Sequence, residues 1–274
     1  MIDNANILVL PDIHGRTFWI EPCKDAIENN IDIVFLGDYF DPYGHEGRWV
    51  YEDMMNNFNS IVELKKAHPD HVHLLLGNHD CSYIYAPSFC YCRHDHIHHN
   101  DIKKAFFDNH DLFELMYRKE INGKQFVFSH AGILKSWLEN HKEFFDSNVE
   151  NVLDVVDELN NDFKRFMESP IETNKMLWVP LSDIAFLRGG YDTCGSPLWA
   201  DIREFAYYDD IYEKDIIQVV GHTQLNDGAI SFNDKIYCID SRQAFIVDNT
   251  GVVMTYNEPD ENKIIKTEIK KENK

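Results

Sequence analysis

Short runs of apolar residues recur along the chain, and each run stops abruptly at a residue that favours turns. Runs rich in Ile, Val, Leu and Phe with turn residues at their ends are typical of strands buried on both faces. The pattern therefore predicts five buried strands. They are expected at residues 7–10, 31–36, 72–76, 126–128 and 216–220.

Apolar residues at helical spacing separate some of these runs. Over residues 54–65 they recur at three- and four-residue steps, and Pro69 closes the segment. Strand, helix and strand in this order are typical of an α/β sheet. The same spacing predicts a second helix over roughly 148–168. Residues 229–241 and 244–256 are predicted to be consecutive antiparallel strands.

The organisation of the chain is predicted to be a single domain over residues 1–256. The stretch 81–100 does not fit the alternation of strands and helices, so it is interpreted as a loop or an insertion. A loop insertion is accordingly assigned to 81–120, and a helical insertion to about 140–195. The last stretch, 257–274, is charged and alternates poorly, which predicts a frayed tail.

The charge balance excludes some classes of function. The chain has 274 residues, of which 47 are acidic and 26 basic, and its formal net charge is −21. A surface this acidic argues against sequence-independent binding of nucleic acid, which needs Lys and Arg to displace counterions from phosphates. It also argues against docking on an anionic membrane. No apolar run approaches the roughly 20 residues needed to cross a bilayer.

The cysteines and the first residues bear on the cellular location. Six Cys are scattered through a chain long enough to form a core, which indicates reduced thiols rather than a disulfide scaffold. Residues 1–10 lack a basic leader followed by a long apolar stretch, so no signal peptide is expected. A cytoplasmic location is therefore predicted.

Each apolar run is followed by a side chain that can bind a metal or transfer a proton. In open α/β sheets, the loops beyond the carboxyl ends of the strands form the ligand crevice. We therefore expect these side chains to meet. Carboxylates, imidazoles and one amide suit Mn, Fe or Zn, whereas Ca prefers oxygen ligands alone. The residues are Asp12, His14, Asp38, Asp41, Asn78, His79, Asp80, His130 and His222.

Each of these motifs is weak when taken alone, but all five occur in order and each follows a predicted strand. The set resembles the calcineurin-like metallophosphoesterase superfamily over roughly residues 7–245. Within it, the set is most similar to the phosphoprotein-phosphatase, serine/threonine phosphatase-like branch, which the Leu-Trp-Ala-Asp segment at 198–201 also resembles. The motifs are Asp12-x-His14-Gly15, Gly37-Asp38-x-x-Asp41, Gly77-Asn78-His79-Asp80, Ser129-His130-Ala131-Gly132 and Gly221-His222-Thr223.

The resemblance implies a fold and a cofactor. The fold is α/β, with two facing mixed β-sheets flanked by helices in a four-layer sandwich. The cofactor is a pair of divalent metal ions, for which Mn, Fe or Zn suits the side chains. Asp12 and His14 would bind the first metal, and Asp38 would bridge both. The second metal would be held by Asn78, His130 and His222.

The reaction implied by the resemblance is hydrolysis of a phosphate monoester, in which a hydroxide that bridges the metals attacks phosphorus. His79 would act as general acid on the leaving oxygen, with Asp41 as its partner and Asp80 as the alternative. The expected partner is a phosphorylated substrate: a phosphopeptide, a nucleotide or a small phosphoester. A dinucleoside-polyphosphate hydrolase of the diadenosine tetraphosphate type and a non-catalytic binding module on the same fold are the alternatives.

Two positions depart from the patterns of the superfamily. Many members have a second His two residues after the one in the last motif, where this chain has Gln224. The phosphoprotein-phosphatase branch has an Arg after Gly-Asp-x-x-Asp that contacts phosphate, where this chain has Pro42. Arg188 and Arg203 are candidates for a replacement cation, and Arg242 is a weaker one. The alternative for each is a surface Arg paired with one of the 47 acids.

The segment 90–99 is rich in Cys and His. In an extended segment, its alternating residues would share one face, and Cys and His are the usual ligands of structural zinc. The Cys-x-Cys spacing is tighter than usual for zinc, so a solvated loop beside the active site is the main interpretation. A zinc site or a zinc-loop interaction protein is the alternative. The alternating residues are Cys90, Cys92, His94, His96 and His98.

Overall fold

The structure is a computed structural model that describes most of the chain. For 174–177 and 208 it describes the backbone alone. The described residues are 5–44, 49–85, 91–145, 151–168, 174–208 and 216–256.

The described strands are short, and most are buried as the sequence predicts. In chain order they are β1 (Ala5–Leu10), β2 (Asp32–Phe35), β3 (Val72–Leu75), β4 (Phe113–Glu114), β5 (Met116–Ile121), β6 (Lys124–Ser129), β7 (Ile216–Val220), β8 (Ile230–Phe232), β9 (Ile236–Cys238), β10 (Phe245–Asp248) and β11 (Val253–Thr255).

The described helices vary from one turn and a half to almost five turns. Short 3-10 turns lie at 110–112, 142–144 and 186–188. The helices are α1 (Ile20–Glu28), α2 (Tyr51–Ala67), α3 (Asn78–Ile84), α4 (His99–Asp108), α5 (Lys135–Asn140), α6 (Val152–Glu168), α7 (Asn174–Leu181) and α8 (Ile202–Tyr208). Among the described residues, no helix has the length and apolar character needed to span a membrane.

The strands form two mixed sheets. The first has the order β11-β10-β1-β2-β3-β4, and the second has the order β5-β6-β7-β9-β8. In the first sheet β1 to β4 run parallel, whereas β10 and β11 are antiparallel to their neighbours. In the second sheet β6, β7 and β9 run parallel, and β5 and β8 are antiparallel edge strands.

The core lies in layers on both faces of the sheets. Ile7 and Val9 of β1 join an apolar cluster that includes Phe126 and Phe128 of β6, so this cluster lies between the sheets. Leu8 and the other alternate positions join a second cluster that includes the helices. Because side chains alternate across a strand, burial of both sets requires cover on both faces. The predicted α/β fold of two facing mixed sheets flanked by helices is therefore confirmed.

The predicted helices are present where the structure describes them. The helix predicted over 54–65 is α2, which ends at Ala67, two residues before Pro69. The helix predicted over 148–168 is α6, which begins at Val152, and residues 148–150 lie outside the described ranges. The tail predicted at 257–274 also lies outside them.

The prediction for residues 229–256 was wrong in its pairing. Each of the two stretches folds back as a hairpin, and the hairpins belong to different sheets. Asn233 and Asp234 have φ values of 50° and 52°, the geometry of a tight hairpin turn. Gly251, with φ of 81°, lies in the turn of the second hairpin. Each stretch therefore provides two strands rather than one.

The interpretation of 81–100 as a loop needs a similar correction. Residues 81–84 continue α3, and α4 begins at His99. The described residues between them, 85 and 91–98, contain neither helix nor strand. Farther on, the segment proposed as an insertion at 81–120 contains β4 and most of β5, which are strands of the two sheets.

Candidate active site

The candidate residues lie at one edge of the two sheets. Asp12 and His14 follow β1, Asp38 follows β2, and Asn78 begins the helix after β3. These three strands run parallel, so the loops after them emerge side by side. In the second sheet, β6 and β7 are also parallel, and they lead to His130 and His222.

Hydrogen bonds join the two sheets at this edge. The backbone N–H of His222, in the second sheet, donates to Oδ1 of Asp12, in the first, at 2.9 Å. The ring Nδ1 of His130 lies 2.9 Å from the carbonyl oxygen of Leu36. Residues 210 and 94 positions apart in sequence are thereby held at hydrogen-bond distance.

The backbone is strained at several of the candidate positions. Non-glycine residues rarely adopt positive φ, and each instance costs on the order of 1 kcal/mol. Such strain is concentrated at functional sites, where surrounding contacts maintain it. The candidates with positive φ are His14 (43°), Asp38 (54°), Asp41 (59°) and His222 (61°).

Two glycines of the motifs are required by close approach. A Cβ added to Gly77 would lie 2.1 Å from Oδ1 of Asp38, and one added to Gly221 would lie 2.2 Å from Oδ1 of Asp12. The carboxylates of Asp38 and Asp12 therefore lie directly against glycine backbone. The glycines of the motifs are therefore required by contacts between separate loops as well as by local turns.

Two clusters of side chains have the composition of a metal site. In each cluster the ligand-type atoms all lie within 4.8 Å of one another, and all the residues are buried. One cluster contains His14, Asp38 and His79, and the other contains Asp12, Asp38 and His130. Asp38 belongs to both. Its Oδ2 lies 3.5 Å from Nε2 of His14 and 3.6 Å from Nε2 of His130.

Atoms that accept hydrogen bonds converge around His130. Nδ1 of His130 faces the carbonyl oxygen of Leu36, which can only accept, so in the neutral ring Nδ1 carries the proton and Nε2 is an acceptor. Nε2 lies 2.9 Å from Oδ1 of Asn78 and 3.1 Å from Nδ1 of His222. Oδ1 of Asn78, Nε2 of His130 and Oδ2 of Asp38 therefore form a buried group of acceptors. A bound cation would satisfy such a group.

His14 is oriented in the same way. Its Nδ1 lies 2.7 Å from the carbonyl oxygen of Phe40, which leaves Nε2 toward Asp38. Metal-binding His residues commonly donate their other ring N–H to a carbonyl oxygen in this manner. The orientation of both His14 and His130 therefore fits a metal ligand.

Burial controls the ionisation of these groups. Burial lowers the pKa of His14 to about 3, so its imidazole is neutral near pH 7. Burial, together with the charge of Arg188, lowers the pKa of His222 well below its usual range. Neutral imidazole is the form that binds metals. Burial and the negative charge of neighbouring carboxylates raise the pKa of Asp12 and Asp240. A bound cation would relieve the repulsion between these carboxylates.

His79 is paired with Asp41. Nδ1 of His79 lies 2.9 Å from Oδ2 of Asp41, and both side chains are buried. Burial alone would lower the pKa of His79, but Asp38 and Asp41 outweigh burial and raise it. The other oxygen of Asp41 accepts a hydrogen bond from the hydroxyl of Tyr83 at 2.5 Å. Tyr83 was not identified from the sequence, although it lies four residues after His79 on α3.

Asp80, the alternative partner of His79, has different contacts. Its carboxylate accepts hydrogen bonds from the backbone N–H groups of Gly77 at 2.8 Å, Asp38 at 2.7 Å and Tyr39 at 3.0 Å. These bonds join the loop after β2 to the start of α3. Asp80 therefore positions backbone, and Asp41 is the carboxylate at the His79 ring.

The two predicted phosphate-binding arginines share one carboxylate. Nε of Arg188 lies 3.0 Å from Asp201, and its Nη2 donates to Oγ1 of Thr223 at 2.8 Å. Arg203 donates to both oxygens of Asp201, at 2.7 and 2.8 Å. Arg188 lies beside His222, whose carbonyl oxygen it contacts at 3.3 Å. Both charges are thus paired with an acid.

Arg93 was not identified from the sequence. Its Nε and Nη2 donate to the carbonyl oxygen of Asp41 at 3.1 and 2.8 Å. Its guanidinium lies over the ring of Tyr43, 3.6 Å from the ring centroid. A single Arg in a segment rich in His does not indicate, from the sequence alone, that its side chain contacts Asp41 and Tyr43.

Residues 91–98, the His-rich loop, are packed against α3 rather than extended. His94 stacks on Tyr83 and hydrogen-bonds with Ser82 at 3.0 Å, whereas His98 stacks on Tyr51. His94 and His98 therefore contact different helices, whereas the rings of His94 and His96 lie 4.9 Å apart. Within the described residues, metal-type ligands form no cluster in this loop, and Cys90 lies outside those residues.

Two mixed sheets with buried carboxylates and imidazoles at the strand ends are the arrangement expected of a metal-dependent hydrolase of the α/β class. The chain belongs to the calcineurin-like phosphoesterase family, whose model matches residues 5–253. It is therefore a phosphoesterase, as the motifs predicted.

Solved structures share the fold at low sequence identity. A cold-active protein-tyrosine phosphatase of a psychrophilic Shewanella species is 15% identical with a TM-score of 0.50, and the match covers 92% of this chain and 80% of that one. A protein serine/threonine phosphatase from Saccharomyces cerevisiae, with similarity to human phosphatase PP5, is 14% identical with a TM-score of 0.51. That match covers 96% of this chain and 82% of the yeast protein. A comparison with curated proteins finds no match.

Proposed function

We propose that this phosphoesterase is a metal-dependent phosphomonoesterase that uses two divalent ions, with Mn, Fe or Zn as the candidates. The observation that carries the proposal is the buried group of acceptor atoms from Asp38, Asn78 and His130. Asp12, His14 and Asp38 would hold one ion, whereas Asp38, Asn78, His130 and His222 would hold the other. Bound there, the ions would lower the pKa of water toward neutrality and offset the charge of the phosphoryl oxygens.

His79 is the proposed general acid. Asp41 accepts the hydrogen bond of Nδ1, which fixes the ring and leaves Nε2 to protonate the leaving oxygen of the substrate. Tyr83 holds the second oxygen of Asp41, so the carboxylate is fixed at both ends. Asp41 and Tyr83 would act through His79 rather than on the substrate.

The proposed substrate is a phosphate monoester, such as a phosphopeptide, a nucleotide or a small phosphoester. The two solved structures named above include one tyrosine and one serine/threonine phosphatase at nearly equal TM-scores, so they do not favour either class. The presence of every expected ligand side chain favours an enzyme over a binding module. Diadenosine tetraphosphate is the substrate to compare, because its hydrolysis would indicate the alternative activity.

The experiment is hydrolysis of p-nitrophenyl phosphate and of a phosphoserine peptide by protein loaded with Mn²⁺. Asp38→Asn should lose about 100-fold or more in kcat together with bound metal. His79→Asn should keep its metal and lose about 10²- to 10⁴-fold in kcat. Its loss should be larger on the peptide, because p-nitrophenolate is a better leaving group and needs less protonation.

Matched controls lie at the opposite end of the same strands. Asp32 begins β2 and pairs with His71, which precedes β3, at 2.8 Å. Asp32→Asn and His71→Asn should therefore keep metal binding and kcat. Full activity in both Asp38→Asn and His79→Asn would refute the proposal. Loss of one metal ion in His79→Asn would make His79 a ligand instead of the acid.

A cytoplasmic location is proposed from the cysteines. The described cysteines are free thiols, and most are buried, which supports a reducing compartment. The low content of basic residues supports the expectation of no nucleic-acid or membrane partner.

A further inference from the structure

The site lacks a cation at one expected position. The family pattern that the chain resembles has Arg after Asp41, but Pro42 and Tyr43 follow here. The oxygens of a phosphoryl group under attack need donors or cations to neutralise their charge. Arg188 and Arg203 are both paired with Asp201, which reduces their capacity to bind a second anion.

Arg93 reaches the same place from a different loop. Its two hydrogen bonds go to the carbonyl oxygen of Asp41, the residue immediately before Pro42. An Arg in the loop after β2 would project from this point. The cation is thus held at the Asp41 backbone by a loop about 50 residues later in the sequence.

An aromatic ring fixes the direction of the Arg93 guanidinium. The guanidinium stacks on Tyr43 at 3.6 Å, and the Tyr43 ring meets the ring of His14 edge to face at 5.2 Å. His14 meets His79 in turn, with ring centroids 5.0 Å apart. Arg93 is therefore separated from a candidate metal ligand by a single aromatic ring. Stacking of this kind orients the planar guanidinium without neutralising its charge.

The charge of Arg93 is available to a ligand. Among the described residues no carboxylate lies within ion-pair distance of it, and its side chain is exposed. The guanidinium has five N–H groups, and two of them donate to the carbonyl oxygen of Asp41. Arg16 also approaches Tyr43, at 5.7 Å, but it is half-buried and donates to the carbonyl oxygen of Asp12. In a chain of net charge −21, an Arg with no acidic partner among the described residues is a distinctive feature.

The loop that carries Arg93 is fixed to the helix that carries His79. The backbone N–H of Asp95 donates to the hydroxyl of Tyr83 at 2.8 Å, and His94 hydrogen-bonds with Ser82. Ser82 in turn donates to the carbonyl oxygen of His79 at 2.7 Å. The positions of Arg93 and His79 are therefore coupled through α3.

We infer that Arg93, stacked on Tyr43, binds the phosphoryl oxygens of the substrate in place of the missing Arg after Asp41. The inference rests on the proposed phosphomonoesterase function. Its ligand is a phosphoryl dianion, whether part of an ester or free as inorganic phosphate. The His-rich loop thereby becomes part of the substrate site.

The test is a calorimetric titration of inorganic phosphate into Mn²⁺-loaded protein, which needs no turnover. Arg93→Ala should bind phosphate at least about tenfold more weakly than the unaltered protein, because a charge-assisted fork of hydrogen bonds is lost. Arg93→Lys should lie between the two, since it keeps the charge and loses the fork. Tyr43→Leu should also weaken binding, and more than Tyr43→Phe does, because Phe keeps the ring on which the guanidinium stacks.

The control is Arg118→Ala, at an exposed Arg paired with Asp157 on β5 and α6. It should bind phosphate normally. Metal content and melting temperature are measured for every variant, and Arg93→Lys decides the result if Arg93→Ala does not fold. Hydrolysis of p-nitrophenyl phosphate should show a raised KM in Arg93→Ala with a smaller change in kcat.

The outcomes separate this inference from the proposed function. If the unaltered protein hydrolyses the ester, and the Arg93 variants bind phosphate with unchanged affinity and KM, the role of Arg93 is refuted while the function stands. If the unaltered protein shows no hydrolysis, the function fails, and the phosphate titration still decides whether Arg93 binds a phosphoryl group. Absence of phosphate binding by the unaltered protein overturns the inference.

Discussion

His79 illustrates how neighbours outside the motifs determine one side chain. Its ring is held by Asp41, and Asp41 is held by Tyr83 through a hydroxyl buried between α3 and the His-rich loop. The sequence identified His79 and Asp41 because both belong to motifs at strand ends. It did not identify Tyr83, since a Tyr on a helix is more often part of an apolar core, and its hydroxyl partner depends on folding.

The Tyr83→Phe variant tests this support. Loss of one hydrogen bond to the Asp41 carboxylate, worth about 1 kcal/mol, should lower kcat roughly fivefold. Metal content should stay the same, because Tyr83 contacts none of the candidate metal ligands. KM should rise by a smaller factor than kcat falls, since the same hydroxyl accepts the Asp95 hydrogen bond that anchors the loop of Arg93. Tyr117→Phe, at a half-buried Tyr on β5, is the control. A kcat equal to that of the unaltered enzyme would show that Asp41 needs no such support.

Asp183 provides a test of pH dependence away from the site. Burial raises its pKa from 3.8 to about 6, with His141 at 3.3 Å opposing the shift. The folded form therefore binds the proton more tightly than the unfolded form. The associated stability is present below about pH 4 and is lost as the pH rises through 6.

The Asp183→Asn variant should remove this dependence. The difference in free energy of unfolding, variant minus unaltered protein, should be larger at pH 7.5 than at pH 4.5. Urea denaturation at both pH values measures it. If the difference between the two proteins is the same at both pH values, Asp183 does not carry the predicted shift.

At the element scale, the strand ends were predictable and the pairing of the last strands was not. The runs before Asp12, Asp38 and His222 are apolar, end in Gly or Pro-Asp turns and became β1, β2 and β7. The strands within 229–256 have three or four residues each. That is too few for the alternation of apolar and polar residues to show where one strand ends. Their turn residues, such as Asn233-Asp234, were the available signal.

The position of Arg93 could not be predicted for a different reason. The loop 91–98 has no period, and its placement depends on contacts with Tyr83, Ser82 and Asp41 that only the folded chain creates. The motifs show which cation is missing after Asp41, but they carry no information on which distant residue replaces it.

Gly77, between β3 and α3, permits a test of the element that carries Asn78. In Gly77→Ala, the new Cβ would meet Oδ1 of Asp38 and Cε1 of His130, at 2.1 and 2.8 Å. Mn²⁺ affinity should fall at least about tenfold, because both ligand-type side chains must move. Gly44→Ala is the matched control, since a Cβ there meets nothing within 4 Å. Equal Mn²⁺ affinities in the two variants would contradict the proposed packing.

On the scale of the whole molecule, an acidic chain concentrates its candidate metal ligands at one edge of two sheets. The net charge of −21 repels anionic substrates at long range, whereas the buried carboxylates at the site attract cations. The negative charge of the protein therefore favours binding of the metal ions and opposes binding of the substrate. The metal ions and Arg93 would have to compensate locally for the charge of the rest of the molecule.

This long-range repulsion predicts a salt dependence. Raising the ionic strength from about 0.01 M to about 0.15 M shortens the Debye length from about 30 Å to about 8 Å. The value of kcat/KM should then rise severalfold for a phosphopeptide with acidic flanks and fall for one with basic flanks. Identical salt profiles for the two peptides would indicate that the net charge does not influence capture.

The most direct test of the account is anomalous diffraction at the manganese edge from crystals soaked in Mn²⁺. We expect two peaks about 3.5–4 Å apart, one against Asp12 and His14 and the other against Asn78, His130 and His222, with Asp38 between them. A single peak elsewhere in the molecule, or no peak at these residues, would contradict the assignment of a two-metal centre to them.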